Sequence, residues 1–82
     1  MNRIIINEYI NKLTKDDIYN FSLKQNVNIN NHDLDIIYDY IKNKRNSLLN
    51  NPIKVINEIK DKVSNDVYNK ILELYQKYKN WL

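Results

Sequence analysis

TKDDIYNFSLKQNVNINNHDLDIIYDYIKNK, residues 14–44, is the stretch whose reading decides the fold. Thr14 stands three positions before Asp17, a capping-box-like pair whose hydroxyl and carboxylate can satisfy the orphan N–H groups of a starting helix. A helix is therefore expected from Lys15 to Gln25. Asn30 stands in the same relation to Asp33, and Leu34, Ile37, Tyr38 and Ile41 then recur at helical spacing, which predicts a helix over residues 31–46. Between these two helices Val27-Asn28-Ile29 alternates apolar and polar. That pattern predicts a short extended bridge with both apolar side chains tucked into the core.

Downstream, Asn51-Pro52 sets a capping side chain before a proline whose missing N–H costs nothing in a first turn. Ile53, Ile56, Ile59 and Val63 then mark a buried stripe, and Ser64 with Asp66 opens a last helix running nearly to Trp81. Its stripe is Val67, Ile71, Leu74, Tyr75 and Tyr78. Upstream, three consecutive isoleucines in residues 3–13 favour a strand locally, but Ile6, Tyr9, Ile10 and Leu13 share one helical face, and we read a helix. The chain has no glycine and one proline, so it lacks the Asn-Gly, Asp-Gly and Gly-X turns on which tight β-hairpins lean. The expected fold is all-α: a compact bundle of four to five short helices with an extended bridge between the second and third. With 82 residues and no linker or internal repeat, a single helical domain over 1–82 is expected.

Asn, Ile, Lys and Tyr make up 47 of the 82 residues and alanine is absent, a bias toward A/T-rich codons that points to an AT-rich bacterial or phage genome. The sixteen asparagines are interspersed among regularly spaced apolar residues, which argues against a prion-like tract. The absence of cysteine excludes disulfides and thiolate metal sites and suits a reducing cytoplasm. Residues 1–10 carry only a three-isoleucine run interrupted by Glu8, short of a signal-peptide core. No apolar run approaches the roughly 20 residues of a membrane span. A cytoplasmic protein without a membrane partner is expected.

Catalytic groups are sparse. His32 is the only histidine, so a His-Asp metal centre lacks its further ligands, and Asp33 and Asp35 lie on different faces of a helix. Asn31, Asp33 and Asp35 faintly suggest a calcium loop, but the central glycine and the closing glutamate are missing. Acidic residues complementing a helix N-terminus explain the cluster more simply. Ser22 and Ser47 have no histidine nearby in sequence, and a phosphate-cradling loop needs glycine. Glu58 and Glu73 have lysines four positions away, the spacing of ordinary surface ion pairs. The expectation is no enzyme activity, no cofactor, no metal and no small-molecule substrate.

Charge has a long-range shape: residues 1–41 carry −2 and residues 42–82 carry +5. Lys42, Lys44 and Arg45, with Lys60 and Lys62, are candidate contacts for weak, salt-sensitive nucleic-acid binding. Cations complementing a helix C-terminus are the competing explanation. Tyr9, Tyr38, Tyr75 and Tyr78 fall on the apolar stripes and are expected in the core. Tyr19, Tyr40 and Tyr68 fall off them and, with Trp81, are candidates for a surface that meets a protein partner or a second copy of the chain.

The succession of Ile10-Asn11-Lys12-Leu13-Thr14, Asp17-Ile18, Lys24-Gln25-Asn26-Val27-Asn28-Ile29, Ile37, Ile41-Lys42 and the Pro52–Tyr78 helical pair resembles the short YqfT-like proteins of low-GC Gram-positive bacteria. That resemblance implies an all-helical bacterial cytoplasmic protein and transfers no active site. The stretch from Thr14 to Lys44 also looks like the topology of small nucleic-acid-binding modules of the SAP and LEM type, a likeness of fold that assigns no site. The leading expectation is a non-enzymatic interaction module acting by protein docking or self-association. Weak, sequence-nonspecific nucleic-acid binding through the basic half is the alternative.

Overall fold

The computed structural model describes the backbone of residues 3–81 and the side chains of residues 4–80. Among the described residues six α-helices follow one another: α1 (Arg3–Lys12), α2 (Lys15–Lys24), α3 (Asn31–Asn43), α4 (Arg45–Asn50), α5 (Pro52–Ile59) and α6 (Asn65–Tyr78), closed by a 3₁₀ turn over Lys79–Trp81. No strand occurs among the described residues, so the all-α expectation holds, while six helices exceed the four to five expected. The radius of gyration of 12.0 Å is close to the ~12 Å of a compact chain of this length.

Local chemistry explains where the helices begin and end. At α2 the capping box closes in full: the Asp17 N–H donates to Thr14 Oγ1 at 3.1 Å and the Thr14 N–H donates to Asp17 Oδ2 at 3.0 Å. The helix stops after Lys24, nearly three turns on, in a left-handed cap. Asn26 holds φ 62°, the region glycine usually fills, while the Asn26 N–H donates to Leu23 O at 3.0 Å and the Val27 N–H to Ser22 O at 2.9 Å. Asparagine thus does the work of the absent glycine in a Schellman turn. Residues 27–30 are neither helix nor strand; Ile29 is buried and Val27 half-buried.

The expected helix over 31–46 breaks earlier. Lys44 leaves helical geometry at φ −120°, ψ 27°, and a separate helix starts at Arg45. The break redirects the chain so that Leu48 packs against the cluster of Tyr40, Val55 and Ile59. Arg45 Nε also donates back to Lys42 O at 3.2 Å, occupying one of the carbonyls that the ended helix leaves open.

Two apolar clusters form the core. Ile29, Leu34 and Val67 centre one, with Ile18, Val27 and Ile37 around them; Tyr40, Val55 and Ile59 centre the other. Val63 and Ile71 belong to both and weld them together. The helix α3 lies between the clusters, which is why it is buried on two sides and why Tyr40, off the expected stripe, is core. The α5 stripe is also rotated from expectation: Val55, Ile56 and Ile59 are buried and Ile53 stays 42 % exposed. In α1, Ile10 and Leu13 are buried as expected, but Tyr9 is 67 % exposed because its position lies on the flank of the Ile6–Ile10–Leu13 face.

Candidate functional site

The basic cluster is drawn into the structure's own helix ends. Lys42 Nζ donates to Ile10 O at 2.6 Å and to Asn11 O at 2.9 Å, closing the C-terminus of α1 from 31 or 32 residues away. Arg45 Nη1 donates to Asn11 Oδ1 at 2.7 Å. Both cations therefore face carbonyl oxygen at the negative end of α1, the arrangement that the helix dipole favours.

Lys44, Lys60 and Lys62 remain exposed, yet each lies over an aromatic ring. Lys44 Nζ is 4.3 Å and Lys62 Nζ 5.2 Å from the Tyr40 ring centre, and Lys60 Nζ is 5.9 Å from that of Tyr68. Lys62 also donates to the Tyr40 hydroxyl at 2.9 Å, and that hydroxyl lies 3.4 Å from Glu58 Oε2. The Tyr40 contact raises the Lys62 pKa above its ordinary value. The structure brings Lys44 and Lys62 together about Tyr40 and places Lys42 and Arg45 at the end of α1.

Among the candidate partner-surface residues, Tyr40 is corrected outright: it is 3 % exposed at the heart of a core cluster. Tyr19 is exposed on the outer side of α2 and Tyr68 is half-buried. Trp81 lies outside the described side chains. The expected surface of Tyr19, Tyr40, Tyr68 and Trp81 thus loses its central member.

Asp33 is the polar residue that sequence reading undervalued. The spacing Asn30 to Asp33 repeats that of Thr14 to Asp17, and the Asp33 N–H donates to Asn30 Oδ1 at 2.8 Å. The Asp33 carboxylate, however, reaches across the fold to accept the Ser64 N–H at 3.0 Å. It fills for α6 the role that an acidic residue at position 67 would fill in a self-contained box; Val67 stands there instead. The carboxylate is 2 % exposed. Burial opposes its ionisation, but the Ser64 backbone N–H, the His32 ring 3.1 Å away and the Ser64 side chain outweigh burial and hold the Asp33 carboxyl below the ordinary aspartate range. His32 itself is exposed.

What the charge pattern did not announce is an apolar groove of about 320 Å³. Ile29, Ile37, Ile41 and Val67 line it with Ile18 and Phe21 of α2 and Ile71 and Leu74 of α6, and Tyr9 and Leu13 close its α1 end. Polar side chains are few: Asp17, Ser22 and Gln25 on the α2 side and Lys70 on the α6 side. Phe21 is 49 % exposed beside it. The groove exists because α2 and α6 both pack on the same core cluster with part of the space between them left unfilled. An open apolar cavity of this size falls in the range of ligand and side-chain pockets.

Among the described residues, no three His, Asp or Glu side chains converge into a group that could hold a metal. No described helix is long and apolar enough to cross a membrane. No protein-family model, curated protein or solved structure matches the chain.

Proposed function

We propose that this chain is a non-enzymatic interaction module that seats an apolar polypeptide segment in the groove between α2 and α6. The observation that carries the reading is the groove itself: a cavity lined almost throughout by Ile, Leu, Val and Phe, opening beside exposed Phe21 and Tyr9. Covering such a surface is favourable in proportion to the apolar area removed from water. An amphipathic helix presenting an apolar stripe is a segment suited to an apolar space between two helices. The likeness to YqfT-like proteins, carried by residue pattern alone, is compatible with this reading and adds no residue to it.

Nucleic-acid binding through the basic half receives less support, because Lys42 and Arg45 already hold α1. A photo-reactive phenylalanine analogue placed at position 21, and in a second sample at position 44, separates the two readings. The expected result is a nuclease-resistant polypeptide adduct from position 21 and none from position 44. Adducts formed from position 44 alone, lost after nuclease treatment, would overturn the docking assignment.

A further inference from the structure

We propose that α1 is a releasable lid over one end of the groove: it detaches as a unit at Leu13 and Thr14, held until then by Lys42 and Arg45, while α2 to α6 stay folded. Its attachment is slight. Among the described α1 side chains Ile10 alone is buried, with Ile6 and Asn7 half-buried. Neither Ile10 nor Leu13 belongs to the two apolar clusters centred on Leu34 and Val55, so both clusters remain whole when α1 leaves. Ile5 and Tyr9 already stand 61 % and 67 % exposed and gain little from the closed position. That position also carries a cost of its own, because the buried Asn7 Oδ1 has no hydrogen-bond partner among the described residues and meets water on release. Nor does α1 carry an acidic residue in its first turn to complement the helix dipole.

The point of detachment is built into the sequence. Leu13 and Thr14 are the two residues between α1 and α2, and the capping box of Thr14 and Asp17 starts α2 without help from α1. Beyond it Lys15 Nζ meets Asp35 Oδ1 of α3 at 2.7 Å and Ile18 packs against the first core cluster, so α2 is anchored where α1 is not. What fixes α1 is the clasp at its C-terminal end, where Lys42 holds Ile10 O and Asn11 O and Arg45 holds Asn11 Oδ1. A free helix of ten residues is marginal in water, so α1 melts once the clasp opens. Stability then divides into two units, a weak one of α1 and a strong one of the rest.

Release changes the groove. Tyr9 and Leu13 close its α1 end, so detachment opens that end along α3, where Ile37 and Ile41 line it. The use assigned to the lid, admitting the end of a segment longer than the closed groove, rests on the docking reading above; the release itself does not.

Native-state hydrogen exchange of the whole chain, read by NMR in urea kept below the unfolding transition, tests the lid. The amides from Glu8 to Lys12 should share one protection, at least about tenfold below the slowest amides of α3 and α6, and respond weakly to urea because little surface is exposed. Lys42→Ala should speed α1 exchange about tenfold and Asn7→Leu should slow it about fivefold. Ile59→Val, in the second core cluster, should speed the slowest amides about fivefold and leave α1 unchanged. The chain has no cysteine, so a single introduced thiol gives a second measurement. The thiol of Ile10→Cys should react with a disulfide reagent at a rate nearly independent of urea, whereas that of Val55→Cys should react only through global unfolding.

Protection that climbs from Glu8 to match the core at Lys12 is fraying of an attached helix and overturns the lid. So does α1 exchange that follows the core in Ile59→Val, and exchange indifferent to Lys42→Ala overturns the clasp. If α1 behaves as a lid and position 21 captures no polypeptide, the docking reading falls and the lid remains. If position 21 captures a polypeptide and α1 exchanges with the core, docking remains and the lid falls.

Discussion

Asp33 supplies the most demanding test of how the fold is held. Replacing it with alanine removes the acceptor for the Ser64 N–H at 3.0 Å and for His32 at 3.1 Å, and leaves space at a site 2 % exposed. The 3.4 Å approach of Asn30 Nδ2 is long and adds little. A hydrogen bond to a charged group contributes about 1.5–3 kcal/mol, and a donor left without a partner in a part-buried site costs about 1–3 kcal/mol. Allowing for overlap between these, Asp33→Ala should cost about 3 kcal/mol. A chain of this size has roughly 4–12 kcal/mol in total. Such a loss should lower the melting temperature by about 15 °C.

Asp33→Asn, which keeps an acceptor oxygen but no charge, should cost about 1–2 kcal/mol. Urea unfolding at neutral pH, followed by circular dichroism, measures both. The acid dependence adds a second reading with a fixed sign. A carboxyl whose folded pKa lies below its unfolded value of about 3.9 stabilises in full above that value and loses the contribution as pH falls through the folded one. Wild-type protein should therefore lose stability on acidification below about pH 4, and Asp33→Ala should lose less over the same window. An alanine variant within about 0.5 kcal/mol of wild type, with an unchanged acid profile, would refute the cross-fold cap.

Lys42→Ala withdraws the ammonium that grips Ile10 O and Asn11 O and should cost about 1–2 kcal/mol; an unchanged thermal melt would return Lys42 to the pool of ordinary surface cations. Asn7 carries a buried Oδ1 that has no hydrogen-bond partner among the described residues, so Asn7→Leu should stabilise by about 1 kcal/mol. A lowered urea midpoint for that variant would contradict the assignment of the oxygen as an unrelieved cost.

Helix class and most helix starts were legible because their causes are local. Thr14 and Asp17 form their box from residues three apart, and Pro52 opens α5 at the first position of the helix. Asn30 and Asp33 show where local reading stops. The spacing is the same, but the carboxylate is claimed by Ser64, 31 positions on, and nothing in the pair's own neighbourhood says so. The rotation of the α5 stripe from Ile53 to Val55 has the same origin, since isoleucine and valine suit either phase and the packing of neighbouring helices selects one. Asn26 offered a real signal: in a chain without glycine, asparagine is the residue best able to adopt the left-handed turn after α2. The groove had none. It depends on the separation of α2 and α6, which neither helix encodes alone.

The basic half illustrates how one pattern of charge serves two ends. A lysine that could meet a phosphate is equally suited to the carbonyl end of a helix, because both present clustered oxygen with negative potential. Lys42 meets Ile10 O and Asn11 O at hydrogen-bond distance, so gripping a phosphate would mean giving up contacts already made. Each such exchange leaves a small net gain, and five cations that each surrender a carbonyl or a ring contact add far less affinity than five free ones. The apolar groove carries no comparable internal competitor. Tyr9 stands largely in water and Phe21 about half so, and every Å² of them covered by a partner is gained without breaking a bond the fold depends on. That asymmetry, more than the count of lysines, is the reason the proposed function is assigned to the groove between α2 and α6 and not to the basic half.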